Sequence, residues 1–280
     1  MTPTRAGSTA SAWHLMRSGK RRPLPLETTI VYGPIVSRRF GRSLGVNLLP
    51  TTYKLCSFDC VYCHYGATDV KTVAPEAIAA READFPSVGE IARELEAVLR
   101  LHRGVEAITF SGNGEPTLHP YFPEVAFEVH RLRDRIYPDA RIALFSNATT
   151  LNRPEIWAAL QHVDLPILKL DAGDAVTFAR IDRPAPGIDF ADVVAGLTQV
   201  PAPIVQTVLV DGPATNAGGA AFERWLETLA TIRPRAVQIY STDYPVPDGT
   251  VERVPPYRLR HLAEVAEHRI GAPVQAYWPG

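Results

Sequence analysis

Cysteine is scarce in this chain. Only three cysteines occur among its 280 residues, Cys56, Cys60 and Cys63, and they share one short segment with the spacing C-x3-C-x2-C. This pattern excludes a disulfide framework, because bridges within so short a segment would close very small loops and leave one thiol over. Unpaired thiols persist in a reducing compartment, so we expect a cytoplasmic protein.

Long apolar runs are also missing. No segment approaches the roughly 18–20 apolar residues that a membrane-spanning helix needs, and the N-terminus lacks the apolar region of a signal peptide. We therefore expect no membrane association. Residues 1–28 are rich in Thr, Ser, Arg and Pro, which predicts a flexible N-terminal tail with one short helix near residues 11–18.

Neither sign of charge dominates the composition. The chain carries 29 basic and 30 acidic residues for a net charge of −1. Only four of the basic residues are lysines, at positions 20, 54, 71 and 169. An RNA-binding protein is expected to present a basic face. RNA is therefore a possible partner, but the near-neutral net charge of this chain does not support it.

The cysteine spacing itself suggests a metal cluster. Thiolates are the usual ligands of Fe–S clusters, and three thiolates on one loop can hold three corners of a [4Fe–4S] cube. No fourth cysteine exists in the chain. The remaining iron is then open to a small molecule. His64 directly follows the third cysteine. If its side chain were a fourth ligand, it would close the open iron site. Alternatively, it would complete a structural Cys3His zinc centre on a non-catalytic binding protein.

Zinc is the less favoured of these alternatives, because structural zinc sites prefer cysteine pairs separated by a longer insert. The loop, with Tyr62 just before the third cysteine, resembles the cluster loop of the radical S-adenosylmethionine (SAM) superfamily. Residues 110–118, 145–149 and 168–174 resemble the segments at the ends of that superfamily's second, third and fourth strands. Residues 32–45 resemble the N-terminal segment of one subgroup, the wyosine-synthase-like Fe–S oxidoreductases.

This resemblance implies two cofactors, a [4Fe–4S] cluster held by the three cysteines and SAM bound to the open iron. It also implies the reaction, in which one electron cleaves SAM to methionine and a 5′-deoxyadenosyl radical that abstracts hydrogen from a substrate. Flavodoxin or ferredoxin is the implied electron donor. The implied SAM-binding residues are Tyr62, Gly112, Asn113, Gly114, Glu115, Ser146, Asn147, Lys169 and Asp171.

Specific roles follow from the same resemblance. Glu115 would accept a hydrogen bond from the methionine ammonium, and Tyr62 would pack near the adenine or the cluster. Lys169 and Asp171 would hold the carboxylate and a ribose hydroxyl. Other interpretations remain open at this point: a buried aromatic for Tyr62, an ordinary Gly-rich turn around Glu115, and a rim ion pair for Lys169 and Asp171.

The cysteine count also limits the reaction. With three thiols on the cluster, none remains as a methyl carrier, a hydrogen-atom donor or the ligand set of a second cluster. Wyosine synthases use additional cysteines for an auxiliary cluster. The substrate is therefore expected to be a small molecule or nucleoside-like metabolite, with a tRNA-modifying enzyme as the alternative.

The order of apolar and polar segments predicts the fold. Strand-like segments at residues 44–49, 107–111, 142–145, 166–170, 204–210 and 236–240 alternate with helix-like ones, a pattern typical of βα units on a parallel sheet. We predict a partial (β/α)6 TIM-like barrel over residues 29–250, with a C-terminal extension at 251–280 packing on it. Function in such barrels lies at the carboxyl ends of the strands.

Several other polar residues are candidates for the substrate pocket or the barrel rim. Gln206 and Gln238 lie in the fifth and sixth predicted strands, and Asp211, Tyr240 and Asp243 lie near the ends of these strands. Two arginine groups, Arg38, Arg39 and Arg42 before the first strand and Arg180 and Arg183 after the fourth, could hold a phosphate or carboxylate of the substrate.

Overall fold

A computed structural model describes residues 23–242 and 246–278 of the chain. The helix predicted near residues 11–18 and the candidate Asp243 lie outside the described residues. Within them, the final part of the predicted tail is bonded to the body of the protein. Leu24 N donates to His64 O at 2.7 Å, and Glu27 N donates to Asn113 Oδ1 at 2.8 Å.

One eight-stranded sheet forms the centre of the molecule. Its strands, in spatial order, are β1 (Val31–Ser37), β2 (Gly41–Val46), β5 (Ala107–Phe110), β6 (Arg141–Ser146), β7 (Leu165–Lys169), β8 (Ile204–Val208), β10 (Ala236–Tyr240) and β12 (Val274–Tyr277). Every pair from β2 to β12 is parallel, whereas β1 pairs antiparallel with β2. Two small sheets join β3 (Leu55–Cys56) to β4 (Val70–Lys71) and β9 (Val210–Asp211) to β11 (Glu252–Arg253).

Helices cover the outside of this sheet. They are α1 (Pro75–Ala79), α2 (Val88–Leu101), α3 (Phe122–Ile136), α4 (Pro154–Ala159), α5 (Ala175–Ile181), α6 (Phe190–Gln199), α7 (Gly219–Ile232) and α8 (Pro256–Ile270). Local chemistry explains where several begin. Ser87 and Glu90 form a capping box at the start of α2, and Asp174 caps α5 by accepting a hydrogen bond from Thr177 N. None of the helices within residues 23–242 and 246–278 has the length and apolarity that crossing a bilayer requires.

The alternating βα order confirms the predicted parallel barrel. Two details of the strands differ from the prediction. Strand β1 was not predicted, and it forms a hairpin with β2. The fifth predicted strand is interrupted after Val208, because β9 pairs with β11 rather than continuing the main sheet. Helix α4 ends at Ala159 and continues as a 3-10 turn, Leu160–His162.

Side-chain alternation along the strands gives the sheet two different faces. Outward residues such as Leu44, Ile108 and Leu168 are fully buried in apolar clusters under the helices. Inward neighbours such as Thr109 and Lys169 line internal cavities instead. Since successive side chains on a strand point to opposite faces, this pattern leaves a polar interior in an otherwise apolar barrel.

Candidate functional site

A cavity of about 290 Å³ lies where the carboxyl ends of the parallel strands meet the cysteine loop. All three cysteines reach it. The residues that line it are Arg39, Lys54, Cys56, Phe58, Cys60, Tyr62, Cys63, His64, Tyr65, Gly112, Gly114, Glu115, Phe145, Ser146, Asn147, Lys169, Gln206, Val208, Tyr240 and Thr242. Seven of the nine residues expected to bind SAM are therefore gathered around one space with the cysteines.

The cysteine loop is held in place by backbone hydrogen bonds. Asp59 N donates to Asp182 O and Val61 N donates to Ile181 O, both at 2.9 Å, so the loop is fastened to the end of α5. Cys63 N donates to Cys60 O at 3.0 Å and closes a tight turn between two of the thiols. These hydrogen bonds define the course of the loop.

The two glycines before Glu115 allow a close backbone approach. A Cβ on Gly114 would lie 1.7 Å from the carbonyl oxygen of Leu55, and one on Gly112 would lie 2.5 Å from Asn47 Oδ1. Both glycines have positive φ, 134° and 145° for Gly112 and Gly114. Glycine is thus required here, because β3, which carries Cys56, packs directly on the end of β5.

Glu115 lies under the cavity with its carboxylate fully engaged. Its Oε1 accepts hydrogen bonds from Thr117 N at 3.1 Å, Thr117 Oγ1 at 2.6 Å and Ser146 Oγ at 2.9 Å. Its Oε2 accepts one from Asn147 N at 2.6 Å. Burial raises the pKa of Glu115, and these hydrogen bonds act in the opposite direction. The carboxylate therefore fixes the end of β6 as well as facing the cavity.

Asn147 connects the end of β6 to the cysteine loop. Its Nδ2 donates to Ser57 Oγ at 2.7 Å and to Cys56 Sγ at 3.7 Å. Phe58 N also donates to Cys56 Sγ, at 3.5 Å. The hydrogen bond from Phe58 N lowers the pKa of Cys56 and so opposes the larger effect of burial, and hydrogen bonds to cluster sulfurs tune reduction potentials.

Tyr62, Lys169 and Asp171 form a connected group beside the cysteines. The Tyr62 hydroxyl donates to Asp171 Oδ2, and Lys169 Nζ lies 3.3 Å from the same oxygen. Lys169 Nζ also stands 4.9 Å from the centre of the Tyr62 ring and 5.6 Å from that of Tyr240. Burial alone lowers the pKa of Lys169, but the charges of Asp171, Tyr240, Cys60 and Asp182 together outweigh it, so the net direction is upward. Lys169 is therefore a cation at the cavity wall.

Two of the expected SAM residues lie behind the cavity. Asn113 is fully buried, and its Nδ2 donates to Glu27 O and Pro50 O, both at 2.9 Å. This side chain therefore holds the chain before β1 instead of facing the cavity. Asp171 is also buried and accepts a hydrogen bond from Val208 N at 2.6 Å. It reaches the cavity only through Tyr62 and Lys169.

Other sequence candidates are divided between cavity and rim. Gln206 and Tyr240 line the cavity, and Gln206 Nε2 donates to Gln238 Oε1 at 3.0 Å. Asp211 forms a salt bridge of 2.5 Å with Arg258 at the barrel rim, which compensates the charge of its carboxylate. Arg180, Arg183 and Arg42 contact other parts of the protein: Arg180 donates to Thr215 O at 3.2 Å, Arg183 pairs with Asp248 at 2.8 Å, and the Arg42 backbone N–H donates to Glu106 Oε2 at 2.7 Å.

Lys54 is a cavity residue that the sequence reasoning missed. It is only 2% exposed, and its Nζ donates to Gly66 O at 2.6 Å. Burial lowers the pKa of Lys54, but attraction to Cys63, Cys56 and Cys60 and a hydrogen bond with Cys63 together outweigh burial, and the net direction is upward. A signal was present, since one of only four lysines stands two residues before the first cysteine.

The donor set fits an Fe–S cluster. All three thiols are free, line one cavity and have a buried cation beside them. Burial raises the pKa of Cys56 to about 12, with the charge of Glu115 acting the same way, so ligation must displace a proton. Within the described ranges, no three His, Cys, Asp or Glu side chains are arranged to hold a single metal ion, and a structural zinc needs four ligands around one point.

Comparisons with known proteins agree with this site. The family model "Radical SAM superfamily" matches residues 51–200, more than half of the chain. A GTPase Obg of Brachyspira hyodysenteriae is 36% identical over 175 residues, which cover 62% of this chain and 24% of that protein. The UPF0026 protein slr1464 of Synechocystis is 30% identical over 218 residues, 78% of this chain and 77% of that protein. The chain spans only about a quarter of the Brachyspira protein. The name GTPase therefore describes that protein and is not carried over to this chain.

Solved structures show the same fold. A radical SAM methyltransferase from Sphaerobacter thermophilus superposes with a TM-score of 0.60 at 15% identity, covering 84% of this chain and 66% of that one. Native anSMEcpe with bound AdoMet gives 0.53 at 17% identity, with 84% and 63% covered. TYW1 with a lysine-pyruvate adduct gives 0.52 at 15% identity, with 82% and 75% covered. Membership of the wyosine-synthase-like subgroup stays a prediction. The chain itself belongs to the radical SAM superfamily, whose enzymes use a [4Fe–4S] cluster and SAM.

Proposed function

We propose that this radical SAM enzyme cleaves SAM reductively and directs the resulting radical at a small-molecule or nucleoside-like substrate. The observation that carries the proposal is the single cavity in which Cys56, Cys60 and Cys63 meet the ends of β5, β6 and β7. The proposed ligands of three irons are these cysteines. When bound, the cluster and SAM supply a 5′-deoxyadenosyl radical that abstracts hydrogen.

The chain's own residues position and shield this chemistry. Glu115 is proposed to attract the methionine ammonium of SAM, a charge-assisted contact. Lys169 is the proposed partner of its carboxylate, held in place by Asp171 and by the ring of Tyr62. Tyr62 and Phe58 are buried aromatic residues on the cysteine loop. They are proposed to keep bulk water away from the reacting atoms.

The cellular setting is part of the same proposal. Free thiols and a site that needs one electron favour the reducing cytoplasm, with flavodoxin or ferredoxin as the electron donor. An oxidoreductase of this kind needs no membrane. The net charge of −1 gives no support to a large RNA substrate.

The proposal is tested by anaerobic reconstitution with iron and sulfide, reduction with dithionite and addition of SAM. Mass spectrometry then measures 5′-deoxyadenosine. We expect formation in the wild type and loss with Cys60→Ala, which removes one thiolate ligand. His64→Ala is the matched control, because it changes a neighbour of the third cysteine and leaves the three thiols intact.

Metal analysis separates this proposal from the zinc alternative. The proposal expects iron and sulfide in near-fourfold amounts per chain and their retention in His64→Ala. Stoichiometric zinc that is lost in His64→Ala would instead indicate a Cys3His site and refute the proposal. An intact iron cluster that yields no 5′-deoxyadenosine with any reductant would refute the cleavage step alone.

A further inference from the structure

A second cavity of about 290 Å³ lies inside the barrel. It is bordered by the β1–β2 hairpin, which includes the exposed side chains of Ile35 and Val36, and by the inner faces of β2, β5 and β6. Arg39 and Phe145 line both this cavity and the cavity with the cysteines. The guanidinium of Arg39 stands 5.0 Å from the centre of the Phe145 ring, so this pair forms the partition between the two spaces.

Hydroxyl groups line the inner wall of the second cavity. Ser43 and Thr109, on neighbouring strands, share a hydrogen bond of 2.8 Å. Tyr32 and Ser111 share another of 2.6 Å. The Tyr32 ring folds over Gly45, where a Cβ would lie 2.1 Å from it. Each hydroxyl has two acceptor lone pairs, so the wall keeps hydrogen-bonding capacity beyond these internal pairs.

The charge at this cavity is positive. Arg38 and Arg39 both line it, and among the described residues of its lining none is acidic. Arg39 is also held by Gln238, whose Oε1 accepts from Nη1 at 3.4 Å, and by the rings of Tyr240 and Tyr277 at 5.6 Å each. Its guanidinium is thus fixed at the partition by contacts from β6, β10 and β12.

On the proposed function, SAM and the cluster take up the first cavity, of about 290 Å³. The substrate then needs a space beside it. The second cavity is the adjoining space of the same size, reached past Arg39 and Phe145.

We propose that the second cavity is the substrate site and that it takes a small anionic molecule bearing several hydroxyl groups, such as a sugar phosphate or sugar acid. The anionic group pairs with Arg39, because guanidinium matches phosphate and carboxylate in a two-pronged geometry. The hydroxyls of the ligand bond to the wall at Ser43, Thr109 and Ser111. This inference rests on the proposed function for the contents of the first cavity.

Calorimetry on the cluster-loaded full chain with SAM present tests the inference directly. The probes are ribose 5-phosphate, gluconate and uncharged ribose. We expect both anionic probes to bind, and the tighter one identifies phosphate or carboxylate as the recognised group. Arg39→Met should weaken the anionic probes by roughly tenfold or more, because a charge-assisted hydrogen bond is lost, and change ribose little.

Thr109→Val keeps the side-chain shape and removes one hydroxyl of the wall, so it should weaken all three probes. Arg100→Met, on the exposed face of α2, is the matched control for loss of an arginine. Thermal unfolding verifies that each variant is folded. Binding by neither anionic probe, equal binding by wild type and Arg39→Met, or binding that SAM abolishes would each overturn the inference.

This experiment is independent of turnover. If 5′-deoxyadenosine forms and the anions do not bind, the substrate class is wrong while the proposed function stands. If the anions bind in an Arg39-dependent manner and no 5′-deoxyadenosine forms, the proposed function fails while the anion site stands.

Discussion

Replacing Gly114 with alanine should separate the cysteine loop from the end of β5. The new Cβ would lie 1.7 Å from the Leu55 carbonyl oxygen and 2.6 Å from the carbonyl carbon. Both are backbone atoms, so no side chain can rotate away to relieve the clash. Relief requires movement of Leu55, and Cys56 is the next residue.

The cost can be estimated from two separate effects. Holding alanine at a φ of 145° forces it into a backbone conformation that costs about 1–3 kcal/mol. Forcing an extra methyl group into a packed contact costs about 1–3 kcal/mol more. The sum of about 2–6 kcal/mol is a large part of the roughly 5–15 kcal/mol that stabilises a folded domain.

Gly104→Ala is the matched control. Its φ of 68° is also positive, but nothing lies within 4 Å of the added Cβ. It should cost only the backbone term, about 1–2 kcal/mol, and leave the cysteine loop in place. The difference between the two variants therefore reports the contact between Gly114 and Leu55 together with the more restricted backbone at a φ of 145°.

Two assays measure the effect. Urea denaturation of the cluster-free chain gives the free energy of unfolding, and iron content after reconstitution reports whether the three thiols are still aligned. We expect Gly114→Ala to lose more stability than Gly104→Ala and to bind less iron. Equal losses in the two variants, with full iron in both, would refute the idea that this glycine positions the loop.

Three further predictions concern the same site and its supports. Asn147→Ala removes a donor to Cys56 Sγ and should lower iron retention by roughly 10–100-fold, measured by chelator competition. Burial raises the pKa of Cys56 from 9.0 to about 12, so the folded cluster-free chain holds this proton more tightly than the unfolded chain. Its stability should fall by up to about 1.4 kcal/mol per pH unit as pH rises from 9.0 toward 12; a flat denaturation profile would contradict this. Asp174→Ala removes the cap of α5 and should cost about 0.5–2 kcal/mol at neutral pH. Because the pKa of Asp174 is lowered to about 2, with the Arg224 hydrogen bond opposing burial, the difference from wild type should disappear as pH falls through that value.

The barrel was predictable because its signals are local and repeat along the chain. Strand β10 begins and ends where the apolar pattern placed it, at Ala236 and Tyr240, and the start of α2 is set by Ser87 and Glu90, which are three residues apart. The cysteine loop and residues 110–118 are also recognisable from residues that lie close together in the sequence. These features depend on residues that are neighbours in the sequence, so the amino-acid sequence alone is enough to predict them.

Features that depend on distant neighbours were not predictable. One such feature is the close approach of Asn47 to Gly112 and of Leu55 to Gly114. Strand β1 was missed because its Gly33-Pro34 pair interrupts the alternation, with a register shift between Tyr32 and Ile35. The inward position of Asn113 depends on Glu27, which is 86 residues away in the chain.

The residues proposed to hold SAM are also residues that hold the protein together. Glu115 accepts four hydrogen bonds that fix Thr117, Ser146 and Asn147, and Asn147 in turn reaches Cys56. Loss of activity in a Glu115 variant would therefore follow equally from a lost ligand contact and from a displaced cysteine loop. Cluster content separates the two causes: a variant that keeps its iron but binds SAM weakly has lost a contact, whereas one that loses both has lost the support of the site.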